Sequence, residues 1–522
     1  MKIDICSLVK INSTSFILLT IPLALSAFTH LWNPIGFPSV EGDEGTYIRR
    51  AMLVLAGLGP QESTQENDML HTRLYGHPYF GQLFLASVLG LVGYPNSLNP
   101  SADENSIELL YFVPRVLMGI LAIVDTFLIY QITKRHYNRN TALMASVLFA
   151  VMPMTWILRR VYLDNLLMPF LLSSILFAFY LKGPKNKDVS LNFGTKYKIS
   201  KNILILLSGI FLGLAIYTKI PAFTMIPLVG TMVFFNSGKS MRSVGIWFTP
   251  VILIPLFWPA HALLVGQFDD WQKGVLSQLG RTSSMSLIDA LNTFFRIDPL
   301  LFLLGGAGLV FAAIKRDFWL LLWVIPYFIF VSIDSFINYH HLIPLLPAFC
   351  IAAAKLIYDA SIRIRKETIR QIPLPIYIIS TIGIFGLVST SILITMDINS
   401  FHFEGYATLV QHIVNYTDNS NNNKLTIIGP PIYYWIPKYG FHKDFNFITM
   451  RNDSIFIVDD ETGKMMSNDI RYDDIYNSTE LISTFRVKLN NYDVTKYPFT
   501  SLTDELNFHN NPLHKIDVRS NY

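Results

Sequence analysis

Acidic residues are clustered directly after the first long apolar stretch of the chain. Asp43 and Glu44 stand side by side there, and a third acid, Asp164, lies in a later short polar segment. A carboxylate that is partly desolvated beside another carboxylate has a raised pKa and can act as a general base near neutral pH. The alternative is structural, because acidic residues also favour the first turn of a helix. Both interpretations stay open from the residues alone.

Cationic residues occur in segments where an anionic ligand would explain them. Arg159 and Arg160 precede Asp164, whereas Lys219 and Arg281 lie between later apolar stretches. A lysine in apolar surroundings is costly unless it is paired or faces a cavity. The alternative for the arginines is that they extend toward lipid headgroups. We predict that these four cations bind a phosphate group.

Other polar side chains are expected to line the same cavity. His77 begins the segment His-Pro-Tyr-Phe-Gly-Gln, and an adjacent pair of histidines follows a tyrosine later in the chain. Such a pair admits a metal site as an alternative, although adjacent histidines more often lie at the level of the headgroups. No cofactor is indicated, and the sequence leaves open whether a divalent metal takes part. The predicted cavity residues are His77, Tyr47, Arg115, Tyr339 and His340.

Acids and cations arranged in this way suit group transfer from a lipid phosphate. The cations would stabilise the phosphate as it leaves, and an acid would take the proton from the incoming hydroxyl. A lipid tail held between helices would fix the orientation of the donor.

The elements that position these residues are predicted from composition. Of the 522 residues, 51% are hydrophobic and only 15% are charged, with a formal net charge of +4. This composition excludes an ordinary cytosolic enzyme and argues against nucleic-acid binding. Because about 20 apolar residues cross a bilayer, we predict eleven transmembrane helices. They lie near residues 13–32, 112–133, 141–158, 165–181, 202–218, 221–236, 244–265, 298–314, 318–335, 342–358 and 374–396.

The distribution of Lys and Arg over the connecting loops predicts the orientation. Alternate loops are rich in these residues, which places the N-terminus in the cytoplasm and the C-terminus outside. The first external loop, residues 33–110, would then carry two helices lying in the membrane interface. Residues 1–396 are predicted to form an all-α catalytic domain. The polar tail, residues 397–522, is predicted to form a small extracytoplasmic α/β domain with strands near 425–428 and 454–458.

The order of short motifs resembles that of the protein O-mannosyltransferases of the GT-C glycosyltransferase superfamily, and of the related aminoarabinose transferases. The motifs are Asp43-Glu44, His77-Pro78-x-x-Gly81, the Leu-Asp-Asn that ends at Asn165, Thr218-Lys219-x-Pro221 and His341-x-x-Pro344. The resemblance implies a polyprenyl-phosphate or dolichyl-phosphate sugar donor and an inverting transfer on the external face. It implies that Asp43 is the base, with Glu44 and Asp164 as companion acids and His77 as the loop histidine. Lys219 and Arg281 would contact the donor phosphate.

The sequence therefore predicts a multi-pass glycosyltransferase in a cell membrane. It would move one sugar, mannose or another hexose, from the lipid-linked donor to an extracytoplasmic protein, lipid or glycan. The alternative from another class is a transporter or flippase of a lipid-linked sugar. Transporters commonly show internal repeats with broken helices near the midplane, and no half-to-half symmetry is evident in this sequence.

Overall fold

A computed structural model describes residues 13–60, 75–99, 105–182, 188–193, 195–280, 286–333, 337–367, 374–395, 397, 399–419, 426–429, 444–446, 454–459, 472–487 and 514–521. The chain divides into two compact units. The first comprises Met1–Trp32, Gln61–Gly81 and Met118–Ile392, and the second comprises Asn33–Pro60, Gln82–Leu117 and Leu393–Tyr522. The predicted domain boundary at residues 396 and 397 stays a prediction.

The first unit is built mainly from apolar helices. A long apolar segment forms a helix because the helix satisfies the hydrogen bonds of all its backbone N–H and C=O groups internally. Short 3₁₀ segments occur at Pro153–Arg159, Ile220–Met225 and Tyr339–Leu345. The helices are α1 (Ser13–Leu31), α4 (Asn105–His136, which begins in the second unit), α5 (Arg139–Val151), α6 (Leu163–Tyr180), α7 (Lys201–Thr218), α8 (Ile226–Asn236), α9 (Met241–Leu253), α10 (Phe257–Leu264), α11 (Phe268–Leu279), α12 (Leu287–Ile297), α13 (Pro299–Ile314), α14 (Phe318–Ile333), α15 (Leu346–Glu367) and α16 (Leu374–Ile394, which ends in the second unit).

Helices occur at all eleven predicted transmembrane positions, but the count of eleven membrane crossings is not confirmed. Within the described residues, five helices are long and apolar enough to span a bilayer, and eight spans result if each of three bent pairs counts as one. Four further apolar helices are shorter. The loop between α6 and α7 also departs from the all-α prediction, because strands β1 (Asp188–Phe193) and β2 (Thr195–Ser200) form an antiparallel hairpin there.

The three bends have local causes. Pro153 begins the segment that turns 67° from α5, and prolines lie in and after α9, which meets α10 at 41°. The sharpest bend, 119°, separates α12 from α13 at Asp298. The Asp298 carboxylate accepts hydrogen bonds from the backbone N–H groups of Leu301 (2.9 Å) and Met154 (3.2 Å). It therefore caps α13 and ties this turn to the segment after α5.

The second unit combines short helices with a five-stranded sheet. Its helices are α2 (Gly42–Leu55), α3 (Phe80–Leu91, which begins in the first unit), α17 (Ser400–Asn419) and α18 (Tyr472–Ser478). The strands of the sheet are β3 (Thr426–Ile428), β4 (Asp444–Asn446), β5 (Ser454–Asp459), β6 (Glu480–Val487) and β7 (His514–Ser520). Their order in the sheet is β4-β3-β5-β7-β6, with parallel pairs on both sides of β3 and antiparallel pairs on both sides of β7.

The sheet packs against α18 through a small apolar cluster. Ile428, Phe456 and Val458 from the strands contact Ile475 of the helix. The two strand segments predicted from the sequence correspond to β3 and β5. That this sheet belongs to a separate extracytoplasmic domain stays a prediction.

Candidate active site

The first unit contains a cavity of about 460 Å³. Apolar side chains form most of its wall, and a few polar groups lie among them. Such a combination is typical of a site that binds a largely apolar ligand with one polar end. The residues that line it are Gly76, His77, Asp164, Lys219, Ile220, Pro221, Trp258, Val275, Gln278, Tyr327, Phe330, Val331, Ile333, Ile337 and His341.

A buried ion pair lies on the wall of this cavity. The Lys219 ammonium Nζ is 2.5 Å from Oδ2 of Asp164, and both residues are at least 94% buried. An ammonium carries three N–H donors, so Lys219 can bind a second anion beside Asp164. The structure thus brings together one predicted acid and one predicted phosphate ligand that are 55 positions apart in the sequence.

Helix ends position this pair. Asp164 lies in the first turn of α6, where the helix dipole favours a negative charge, and Lys219 follows the last residue of α7, where it favours a positive one. A 3₁₀ turn begins at Ile220, with Pro221 as its second residue, so α7 does not continue past Lys219. Gly81 permits close packing here, because an added Cβ would lie 2.5 Å from a methyl group of Leu163 and 3.2 Å from that of Thr218.

His77 also lines the cavity, and an aromatic cluster holds its segment in place. Tyr75 and Tyr79, on either side of it, are buried against Trp258. The Tyr75 hydroxyl donates a hydrogen bond of 2.8 Å to the Gln267 side chain. The segment around His77 is therefore fixed to α10 and to the turn that precedes α11.

The histidine pair is arranged differently from the prediction. His341 lines the cavity, whereas Tyr339 and His340 are not among the lining residues. The His340 ring instead stacks on Tyr162, with ring centres 4.8 Å apart. Nδ1 of His341 accepts a hydrogen bond of 3.1 Å from the backbone N–H of Asn338, which leaves the proton of the neutral ring on Nε2.

The two adjacent arginines do not line the cavity either, although both were predicted to bind phosphate. The buried Arg159 guanidinium donates hydrogen bonds to the carbonyls of Thr29, at 2.6 Å, and Trp32. It thereby caps the C-terminal end of α1. The guanidinium carbon Cζ of Arg160 lies 5.2 Å from the centre of the Trp156 ring, and the guanidinium donates a hydrogen bond of 3.0 Å to the Tyr162 hydroxyl. These contacts favour structural roles. The fourth predicted phosphate ligand, Arg281, lies outside the described residues.

In the second unit, Glu44 and Arg115 form a fully buried ion pair. The Arg115 guanidinium donates to both carboxylate oxygens of Glu44, at 2.9 and 2.6 Å. It also donates to the backbone carbonyls of Pro34, Pro38 and Ser39. All five guanidinium N–H groups are therefore used within this loop. This geometry favours a structural role for both residues over the predicted catalytic and cavity roles.

Asp43 differs from its neighbour because its side chain is exposed. It is the second residue of α2, where the helix N-terminus stabilises a carboxylate. Tyr47, one turn later, is buried. This exposed position differs from the partly desolvated carboxylate that the sequence analysis expected, and the role of Asp43 as the base stays a prediction.

The sequence motifs did not identify several residues of the cavity. Trp258, Gln278, Tyr327 and the apolar residues of α14 carry no local pattern that separates them from ordinary membrane residues. Within the described residues, no group of three or more His, Cys, Asp or Glu side chains is arranged to hold a metal ion. A role for a divalent metal stays open.

A family model described as dolichyl-phosphate-mannose-protein mannosyltransferase matches residues 71–258. This segment includes His77, Asp164, Lys219 and Trp258. The match confirms the predicted resemblance to that family. A comparison with curated protein sequences gives no match.

Two solved structures show the same fold. ArnT from Cupriavidus metallidurans, bound to undecaprenyl phosphate, is 11% identical with a TM-score of 0.54, and the similarity covers 98% of both chains. The Archaeoglobus fulgidus oligosaccharyltransferase is 12% identical with a TM-score of 0.51, over 83% of this chain. The similarity spans only 63% of the archaeal protein's length. Together these similarities confirm the predicted GT-C fold.

Proposed function

We propose that this protein is a membrane glycosyltransferase that moves a single sugar from a polyprenyl phosphate to an extracytoplasmic acceptor. The donor sugar is mannose or another hexose, and the transfer inverts the anomeric configuration. The observation that carries this proposal is the cavity with one buried lysine–aspartate pair, located in the segment that matches the mannosyltransferase family model.

The composition of the cavity supports a lipid-linked donor. Its apolar residues, such as Phe330, Val331 and Ile337, suit a polyprenyl chain, and Lys219 suits the phosphate at the end of that chain. The charge of Lys219 is balanced by that of Asp164. The ArnT structure holds undecaprenyl phosphate, a ligand of this chemical class.

The proposed reaction is a single displacement at the anomeric carbon. The acceptor hydroxyl forms the new bond to that carbon while the bond from the carbon to the phosphate oxygen breaks. The polyprenyl phosphate leaves with the electron pair, and Lys219 stabilises its charge. Asp43 accepts the proton of the hydroxyl. His77 and His341, which line the cavity, are placed to donate hydrogen bonds to oxygen atoms of the donor.

Sugar transfer by the purified protein in lipid nanodiscs tests this proposal. Polyprenyl-phosphate mannose and other radiolabelled polyprenyl-phosphate hexoses are supplied with host membrane extract as the source of acceptor. We expect one of these donors to label an acceptor and to release polyprenyl phosphate. Movement of intact donor across the bilayer without release of polyprenyl phosphate would refute transfer and favour a flippase.

A further inference from the structure

A second cavity, of about 310 Å³, lies in the first unit among the ends of α13 and α14 and the side of α15. It shares no lining residue with the candidate active site. The cavity is lined by Gly308, Phe311, Ala312, Lys315, Asp317, Leu320, Lys355 and Asp359. Two ammonium groups and two carboxylates therefore border one small space, and their formal charges cancel.

The charged groups differ in how firmly they are held. Nζ of Lys355 lies 2.7 and 2.8 Å from the two carboxylate oxygens of Asp359, one turn along α15. Asp317 accepts a hydrogen bond from the Tyr137 hydroxyl and lies 3.6 Å from the His136 ring. Burial would raise the pKa of Asp317, but these contacts hold the pKa below its usual value, so the carboxylate is ionised. Lys315 is exposed, and its ammonium lies 5.5 Å from the centre of the Phe311 ring.

The residues around the cavity are of the types that occur at the level of the lipid headgroups. Lys315 and Arg316 are the first charged residues after the sixteen-residue apolar helix α13, and Ile314 and Phe318 beside them are exposed apolar side chains. The Trp319 ring packs nearby against the rings of His136 and Tyr137, with ring centres 4.5 and 6.1 Å apart, respectively. Aromatic residues and lysines together mark the boundary between the hydrocarbon and the headgroups.

We propose that this cavity binds the zwitterionic headgroup of a phospholipid that carries a primary ammonium, such as phosphatidylethanolamine. Its phosphate contacts Lys315, and its ammonium donates hydrogen bonds to the carboxylates of Asp317 and Asp359. A lipid with net negative charge fits less well because the four lining charges cancel, which leaves no excess positive charge in the cavity to balance it. A choline headgroup also fits less well, since its quaternary ammonium has no N–H to donate. This site is independent of the sugar-transfer reaction.

Native mass spectrometry of the delipidated full-length protein tests the proposal. The protein is titrated with phosphatidylethanolamine, phosphatidylcholine or phosphatidylglycerol of identical acyl chains. We expect the wild type to retain the ethanolamine lipid about fivefold more strongly than either of the others, the scale of one exposed charge pair. Lys315→Gln should lower retention of the ethanolamine lipid, and Asp359→Asn should remove its advantage over the choline lipid.

Lys273→Gln is the matched control, because Lys273 is 80% exposed on α11, outside the cavity. It should leave all three lipids unaffected. Equal retention of ethanolamine and choline lipids by the wild type would overturn the proposal, as would a preference for phosphatidylglycerol. Both results concern the unmodified protein, so they do not depend on the folding of any variant.

Discussion

Glu44 and Asp43 are adjacent in the sequence, but we expect Glu44 to stabilise the fold and Asp43 to act in catalysis. Replacing each residue in turn distinguishes these two roles. Glu44→Ala removes both carboxylate oxygens from the Arg115 guanidinium and leaves a buried cation without its counter-charge. A hydrogen bond to a charged group contributes about 1.5–3 kcal/mol, and two are lost. Breaking a buried ion pair costs about 3–5 kcal/mol, which agrees with that sum. We therefore expect Glu44→Ala to lower the free energy of unfolding by about 3–5 kcal/mol.

The assay is unfolding in mixed micelles, combined with sugar transfer per folded molecule. Arg115→Met should be destabilised at least as much, since the carbonyls of Pro34, Pro38 and Ser39 also lose their donor. In the double variant Glu44→Leu/Arg115→Met the losses should not add, because no charge is left buried alone. Wild-type stability of Glu44→Ala together with complete loss of transfer would refute this reasoning and restore Glu44 as a catalytic acid.

Three further predictions address other parts of the chain. Lys219→Gln should weaken binding of polyprenyl phosphate at least tenfold, about 1.4 kcal/mol, in a titration where Lys273→Gln has no effect; equal binding would exclude Lys219 from the phosphate site. Gly209→Ala should destabilise the protein by about 1–3 kcal/mol, because the new Cβ would lie 2.3 Å from the backbone carbonyl of Trp247. Gly245→Ala, with open space around it, should be neutral or stabilising in the same unfolding experiment. Burial would raise the pKa of Asp517, but Lys515, Thr484 and Tyr476 lower it. The resulting stability is present above the unfolded-state pKa of about 3.9 and is lost as the pH falls through the lower folded-state pKa. The protection factors of the β7 amides against hydrogen exchange, which correct for the intrinsic exchange rate at each pH, should therefore fall in acid, and the fall should be smaller in Asp517→Asn.

Much of the helical part of the fold was predictable because it depends on local sequence. A run of apolar residues forms a helix in a membrane whatever its neighbours are, so α6, α7 and α16 begin and end within a few residues of the prediction. The bend between α12 and α13 was not predictable in the same way. It depends on Asp298, whose second hydrogen bond goes to Met154, 144 positions away.

The site was predictable in residue type more than in arrangement. Asp164, Lys219 and His77 were identified because charged or polar residues stand out in apolar surroundings, and the structure places all three on one cavity. The same signal does not distinguish the two possible roles of Arg159 and Arg115, because a buried arginine that binds backbone carbonyls looks identical in sequence to one that binds a ligand. His341 could be told from His340 only by the course of the 3₁₀ turn that carries them.

Single-turnover sugar transfer by wild type, Asp43→Asn and Asp269→Asn tests the central claim most directly. Asp269 is the matched control, because it is also an exposed acid in the first turn of a helix, α11. We predict that Asp43→Asn lowers the rate by about 100-fold or more while donor binding and the free energy of unfolding stay at wild-type values. Asp269→Asn should transfer sugar at the wild-type rate. Transfer by Asp43→Asn at the rate of this control would contradict the role of Asp43 as the base.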